Sequence, residues 1–304
     1  MNEVGMNFRR LVTNPRAIIV AFMLVAGMIV VLPHSASAKS SPTYYVSLGD
    51  SYSVGYQPGL GSTPGYTVPV AKNIKMTLKN FGCGGATTDS VLNTIGCPSV
   101  MKHTAGAVAY PTTTQIAAAD AFITKNKGHI GLITVSIAGN DVTSCAKDPD
   151  PISCVGTATT NVKKNVTTIA NDLRAAAGSK TPIIGLTYPD VILGTYVYPT
   201  QPTTPARMSL AQLSVVAFQS LINPALSESY AQAGGLFVDM TAATGAYTPL
   251  TNVVNVKKYG EIPAPVASVC ALTWFCSKGD IHAKTTGYNL EARLIVSKFK
   301  SIKK

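Results

Sequence analysis

The stretch HIGLITVSIAGND, from His129 to Asp141, is nearly continuously apolar and rich in β-branched residues. A strand with one wet face alternates apolar and polar positions. A run without alternation is covered on both faces, as in a parallel sheet between two layers of helices. The rest of the chain has to supply those layers. Shorter runs of strand character lie at Tyr44 to Leu48, Met76 to Gly82, Thr181 to Tyr188 and Leu236 to Met240. Helical patterns lie between and after them: Val68 to Ile74, Asp89 to Gly96, Thr112 to Lys125, Val162 to Gly178, Arg207 to Gly235 with an interruption near Pro224, and Thr285 to Phe299. Strands alternating with helices predict an α/β fold, a three-layer α/β/α sandwich around a mostly parallel five-stranded sheet. No linker or internal repeat divides it.

Residues 1–38 stand outside this pattern. Arg9, Arg10 and Arg16 precede an apolar run from Ala17 to Leu32, followed by Pro33 and then Ala36-Ser37-Ala38. A positive region, an apolar region and a small-x-small site read as a secretory signal peptide. The run is short for a bilayer span, and an uncleaved anchor is the other reading. No cysteine near the site points to a lipid anchor. Cleavage after Ala38 leaves residues 39–304 as one extracellular domain. No other segment reads as long and apolar enough to span a bilayer.

The formal charge is +11, and losing the leader's three arginines and one glutamate brings it to +9. Such a charge favours anionic surfaces or serves solubility alone, since the lysines are scattered. No nucleic-acid motif is present, and no nucleic-acid partner is expected. Six cysteines, Cys83, Cys97, Cys145, Cys154, Cys270 and Cys276, fall into three local pairs. An even count in an exported chain favours disulfides. Sequence leaves the connectivity open, and sequential pairing, Cys83–Cys97, Cys145–Cys154 and Cys270–Cys276, is the simplest. No C-x-x-C knuckle exists and there are only four histidines, so no metal or other cofactor is expected.

Ligands of a parallel α/β sheet bind beyond the carboxyl ends of its strands. The first strand ends on Gly49-Asp50-Ser51, which exposes one hydroxyl, with Asp50 placed to cap the turn. A G-D-S triplet alone reads as a capping serine. Other strand ends add to it. Gly84 and Gly85 follow the second strand and allow close backbone approach. Gly139, Asn140 and Asp141 follow the third, Asn140 offering a side-chain donor and Asp141 shaping the turn. His282, a base suited to neutral pH, precedes the last helix. Together they supply a nucleophile, a base and converging donors, as acyl transfer requires. The stretches Val191 to Ala206 and Ala242 to Ala271 read as loops and candidate cleft walls. Trp274 reads as a packing anchor in the last cysteine loop before a substrate platform. No G-x-G-x-x-G follows the first strand, so Asp239 carries no nucleotide reading.

Four blocks in order, GDSYSVG (Gly49 to Gly55), GGATT (Gly84 to Thr88), GND (Gly139 to Asp141) and DIH (Asp280 to His282), make the chain resemble the SGNH, or GDSL-type, hydrolase superfamily. The local cysteine pairs are similar to those of its secreted actinobacterial-type esterases and lipases. The resemblance implies an SGNH, flavodoxin-like fold. It implies Ser51 as nucleophile, His282 as base, and an oxyanion hole made by the Ser51 and Gly85 N–H groups and the Asn140 side chain. The family usually carries an aspartate three positions before the histidine. Here residue 279 is glycine and Asp280 is two before, so either Asp280 or a nearby backbone carbonyl orients the ring.

The expected protein is a secreted monomeric serine carboxylic-ester hydrolase, an esterase, lipase or phospholipase acting on a lipid or fatty-acyl ester, with no stable membrane span after leader cleavage. The sequence is also compatible with two alternatives. One is a carbohydrate acetylesterase. The other is a catalytically inactive secreted binding or adhesion protein on a hydrolase scaffold.

Overall fold

The computed structural model describes residues 43–99 and 105–302, so the leader lies outside the described residues. Five strands form one parallel sheet: β1 (Tyr44–Gly49), β2 (Thr77–Asn80), β3 (Ile130–Ser136), β4 (Ile183–Leu186) and β5 (Leu236–Val238). Their order is β2-β1-β3-β4-β5. The winding reverses between β1 and β3, and in such sheets the crevice at that reversal is where ligands bind.

Side chains leave the sheet alternately on its two faces. Val46 and Leu48 of β1, with Ile133 and Val135 of β3, pack with helices Gln115–Lys125, Pro151–Ala177 and Asn223–Gln232. Tyr45, Leu132, Ile184 and Leu186 pack on the opposite side with helices Thr67–Ile74 and Thr285–Ser301. Three layers result. The unbroken apolar run that begins at Ile130 is explained by having no wet face.

Boundaries moved where local chemistry outweighed periodicity. Helix Pro151–Ala177 starts well before Val162, because Asp150 caps it through the Ser153 N–H at 3.1 Å and Pro151 occupies its first turn. The third strand stops at Ser136, and Gly139–Thr143 winds into a short helix. The long pattern after Thr204 divides into helix Pro205–Ala217, a π-helical turn at Phe218–Ile222 and helix Asn223–Gln232. In a continuous α-helix the ring of Pro224 would clash with the carbonyl four residues back, at Ser220. The wider turn relieves that clash one turn before the proline.

This run corrects one expectation. Pro205–Gln232, which contains an 18-residue window of mean hydropathy 1.2, is long and apolar enough to cross a membrane by length and composition. Of its apolar residues, Ala211, Ala217, Phe218 and Leu226 are buried within the domain, and Met208 and Val216 are exposed. The two expected loops are also more ordered than they read. They contain the 3₁₀ helix Val191–Tyr196, a hairpin of Val253–Val256 with Gly260–Pro263, and helix Ala264–Leu272. They share a satellite core of Leu193, Val197, Ile262, Val266 and Val269.

The cysteines pair in sequence order, Cys83 with Cys97, Cys145 with Cys154 and Cys270 with Cys276. The first bridge closes a 14-residue separation around Gly84, Gly85 and the capped helix Thr88–Asn93. A loop of that size is worth about 3 kcal/mol through the unfolded chain. A Cys83→Ser, Cys97→Ser double variant is therefore expected to lose about that much stability in urea unfolding. An unchanged midpoint would show that the bridge constrains nothing.

Candidate active site

β1 ends on a closely fitted turn. Gly49 has φ +135, and a Cβ there would lie 2.0 Å from the Ser136 carbonyl oxygen, so only glycine fits. The buried Gln115 completes this strand end. Its Oε1 accepts the Gly49 N–H at 2.8 Å and its Nε2 donates to the Gly49 carbonyl at 3.1 Å. Asp50 caps the one-turn helix Ser51–Val54, accepting the Tyr52 N–H at 2.9 Å. Ser51 is thereby the first helical residue, fixed at the carboxyl end of β1.

The hydroxyl of Ser51 lies 2.8 Å from Nε2 of His282, a contact between residues 231 positions apart. Nδ1 of His282 lies 2.8 Å from Oδ1 of Asp280, which also accepts the His282 main-chain N–H at 2.9 Å. A carboxylate only accepts, so Nδ1 carries the proton and Nε2 presents its lone pair to the Ser51 hydroxyl. Ser51, His282 and Asp280 thus form a triad-like arrangement. Neighbours hold the imidazole in place. Tyr52 donates its hydroxyl to the Ile281 carbonyl at 2.7 Å, the Trp274 N–H donates to the His282 carbonyl at 2.9 Å, and the Tyr56 ring stands edge-on at 4.6 Å. Trp274 is anchored in turn by its indole N–H to Gln57 at 3.2 Å.

The departure from the usual spacing has a steric cause. Gly279 ends helix Phe275–Lys278 at φ +65, and a Cβ there would come within 2.6 Å of the Tyr198 ring. A side chain at 279 is excluded twice over, by conformation and by space, and the carboxylate enters from residue 280.

Burial pushes the His282 pKa below its ordinary 6.5, and Asp280 offsets only part of that. The neutral ring is the base, so kcat/KM is expected to fall on acidification with a midpoint below 6.5. A pH–rate profile checks this, and a midpoint above 6.5 would show that the Asp280 pairing dominates.

The other two blocks are linked to the Ser51 turn through Asn140, which lies against Asp50 and Ala86. Gly85, at φ +77, is exposed, and a Cβ there would meet nothing within 4 Å, so glycine serves the backbone conformation and not the space. Asn140 donates from Nδ2 to the Ala86 carbonyl at 2.9 Å and lies 3.4 Å from Asp50 Oδ2. Asp141 does more than shape its own turn. It accepts the Thr88 N–H at 3.0 Å and the Thr88 hydroxyl at 2.6 Å, tying the two blocks together. Asp50 accepts the Tyr188 hydroxyl at 2.7 Å, and burial pushes its carboxyl up to about 7. Tyr188 and Gln115 carried no recognisable sequence signal, because each lay inside a segment read only as strand or helix. Asp239 caps the turn Met240–Ala243 through the Ala242 N–H, a structural role. Among the described residues, no cluster of three or more His, Cys, Asp or Glu is placed to hold a metal.

A cavity lined by Ser51 and Asn140 is walled by the start of helix Pro151–Ala177 and by the π-helical turn.

The parallel sheet, with a serine, histidine and carboxylate in line at its winding reversal, defines a serine hydrolase of the three-layer α/β/α class. Residues 47–260 match the GDSL-like Lipase/Acylhydrolase family, and the chain belongs to that family. The match takes in the first three blocks and stops before Asp280 and His282, which the fold brings to Ser51. No curated protein matches the chain by sequence. Similar solved structures include an extracellular lipase from Streptomyces rimosus (18% identity, 67% of this chain and 82% of that one, TM-score 0.44). Another is a G-D-S-L family protein from Desulfitobacterium hafniense (14%, 84% and 98%, TM-score 0.41). A carbohydrate esterase is also similar (10%, 85% and 68%, TM-score 0.41). Family and triad-like geometry together make the protein a serine carboxylic-ester hydrolase.

Proposed function

We propose that residues 39–304 form an exported esterase or lipase working through an acyl-enzyme, with residues 1–38 its leader. The contact that carries this reading is the 2.8 Å approach of the Ser51 hydroxyl to His282. Ser51 Oγ attacks the ester carbonyl while His282 Nε2 takes its proton. Asp280 stabilises the imidazolium so formed. The tetrahedral oxyanion is held by the N–H groups of Ser51 and Gly85 and by the Asn140 carboxamide. His282 returns the proton to the leaving alcohol, and water, activated by the same ring, releases the acid. The leader pattern and three disulfides support export. An inactive binding scaffold has no need to keep serine and imidazole in register, which favours the enzyme.

Labelling with a fluorophosphonate tests the mechanism. Modification of Ser51 is expected, and a folded protein that resists it would overturn the reading. Asn140→Ala is expected to cost about 10²–10³-fold in kcat, the usual loss for one oxyanion donor. Steady-state kinetics beside a thermal melt check it. A loss confined to KM would move Asn140 out of the oxyanion site.

A further inference from the structure

The cavity beside Ser51 carries a reading of the substrate that rests on the mechanism just proposed. Much of its lining is hydrocarbon: Val155, Leu213, Ala217, Phe218, Ile222 and Leu226. Beyond Ser51 and Asn140, the hydroxyl groups that line it are spent on the protein. The Tyr188 hydroxyl donates to Asp50, the Ser214 hydroxyl to Asp190 at 2.8 Å, and the Tyr52 hydroxyl to the Ile281 carbonyl. The Thr143 hydroxyl donates to the Gly139 carbonyl. A sugar ring placed here would lose its hydration and find few partners, at a cost for each unpaired hydroxyl. A polymethylene chain would lose nothing and gain the burial of every methylene.

We infer that this cavity is the acyl site, that it takes the tail of a fatty-acid ester of medium or longer chain, and that Ala217 and Phe218 set how far the tail extends. The acyl half is the part that stays covalently attached to Ser51 after the first step. The alcohol takes its proton from His282 and departs. An apolar pocket suits the half that stays. The π-helical turn gives the wall its shape: it widens the helix where Phe218 and Ile222 face the cavity, so the wall owes its position to the break before Pro224.

The test is a matrix of esters on the purified, disulfide-bonded protein. One series varies the acyl chain from acetyl to dodecanoyl with a constant p-nitrophenyl leaving group. The other varies the alcohol chain on a constant acetyl group. Burial of one methylene corresponds to about fourfold in kcat/KM. A rise of at least about 100-fold from acetyl to octanoyl is therefore expected, with little gradient along the alcohol series. Ala217→Phe is expected to lower the octanoyl-to-acetyl ratio at least about tenfold by filling the pocket. Phe218→Ala is expected to move the optimum to longer chains, which keeps the test alive should the first variant not fold. Acetyl and octanoyl esters cleaved within about threefold of each other would overturn the acyl site. So would a chain-length gradient that follows the alcohol. Fluorophosphonate labelling separates the two levels. A labelled, active enzyme with a flat acyl profile sinks only this inference. A folded protein that neither labels nor hydrolyses any ester sinks the mechanism and this inference with it.

Discussion

Ser51→Ala is expected to lower kcat for a fatty-acyl ester by about 10⁴–10⁶-fold, leaving the melting temperature nearly unchanged. The size follows from the geometry. The Ser51 oxygen is the atom in line with His282 at 2.8 Å, and no second hydroxyl is held against that nitrogen among the contacts described. Removing it removes the covalent route, and what remains is whatever the oxyanion donors give a water molecule. Stability should survive because the turn is built by other groups: Asp50 supplies the cap, Gln115 the strand end, and Asn80 donates to the Ser53 carbonyl at 2.8 Å. Hydrolysis of an octanoyl ester and a thermal melt on the same preparation decide it. Activity within about tenfold of wild type would mean that another nucleophile does the chemistry.

Asp280→Asn is expected to cost about 10⁴-fold in kcat/KM, the scale seen when a triad carboxylate is neutralised and the wrong tautomer results. An amide can donate to Nδ1 where the carboxylate only accepts. The proton then moves to Nε2, and the lone pair that should receive the Ser51 proton is lost. A second signature separates this role from a structural one. Asp280 raises the His282 pKa against the lowering effect of burial. The acid limb of the residual activity should therefore shift to lower pH in the variant. A loss below about tenfold with no such shift would assign the orienting role to a backbone carbonyl and leave a serine-histidine dyad.

Much of this site could be read from residue order. Ser51, Gly85, Asn140 and His282 stand at strand or helix ends, where periodicity breaks off and a small or polar block begins, and that signal is local. Asp280 was legible as a carboxylate near the base, but the reason for its shifted spacing was not. It lies in Tyr198, 81 positions before Gly279, whose ring fills the space that a side chain at 279 would need. Gln115, Asp141 and Tyr188 act through partners 53 to 138 residues away, and no pattern within a helix or strand records such a pairing. The start of helix Pro151–Ala177 escapes periodicity for a different reason. Its first turns carry glycine and several threonines, and only the Asp150-Pro151 start signal, easily taken for a loop, marks the beginning.

The alcohol of this enzyme is made early and its base late. Residue 51 belongs to the opening strand of the domain, whereas residue 282 sits just ahead of the closing helix and is stitched to the opening turns through Tyr52, Gln57 and Trp274. A nascent polypeptide therefore carries an inert serine until the 231 positions that separate it from its base have been delivered and docked. Ester cleavage reports completed assembly, and a chain that loses the segment carrying Asp280 and His282 should fall silent as an enzyme even if its sheet survives.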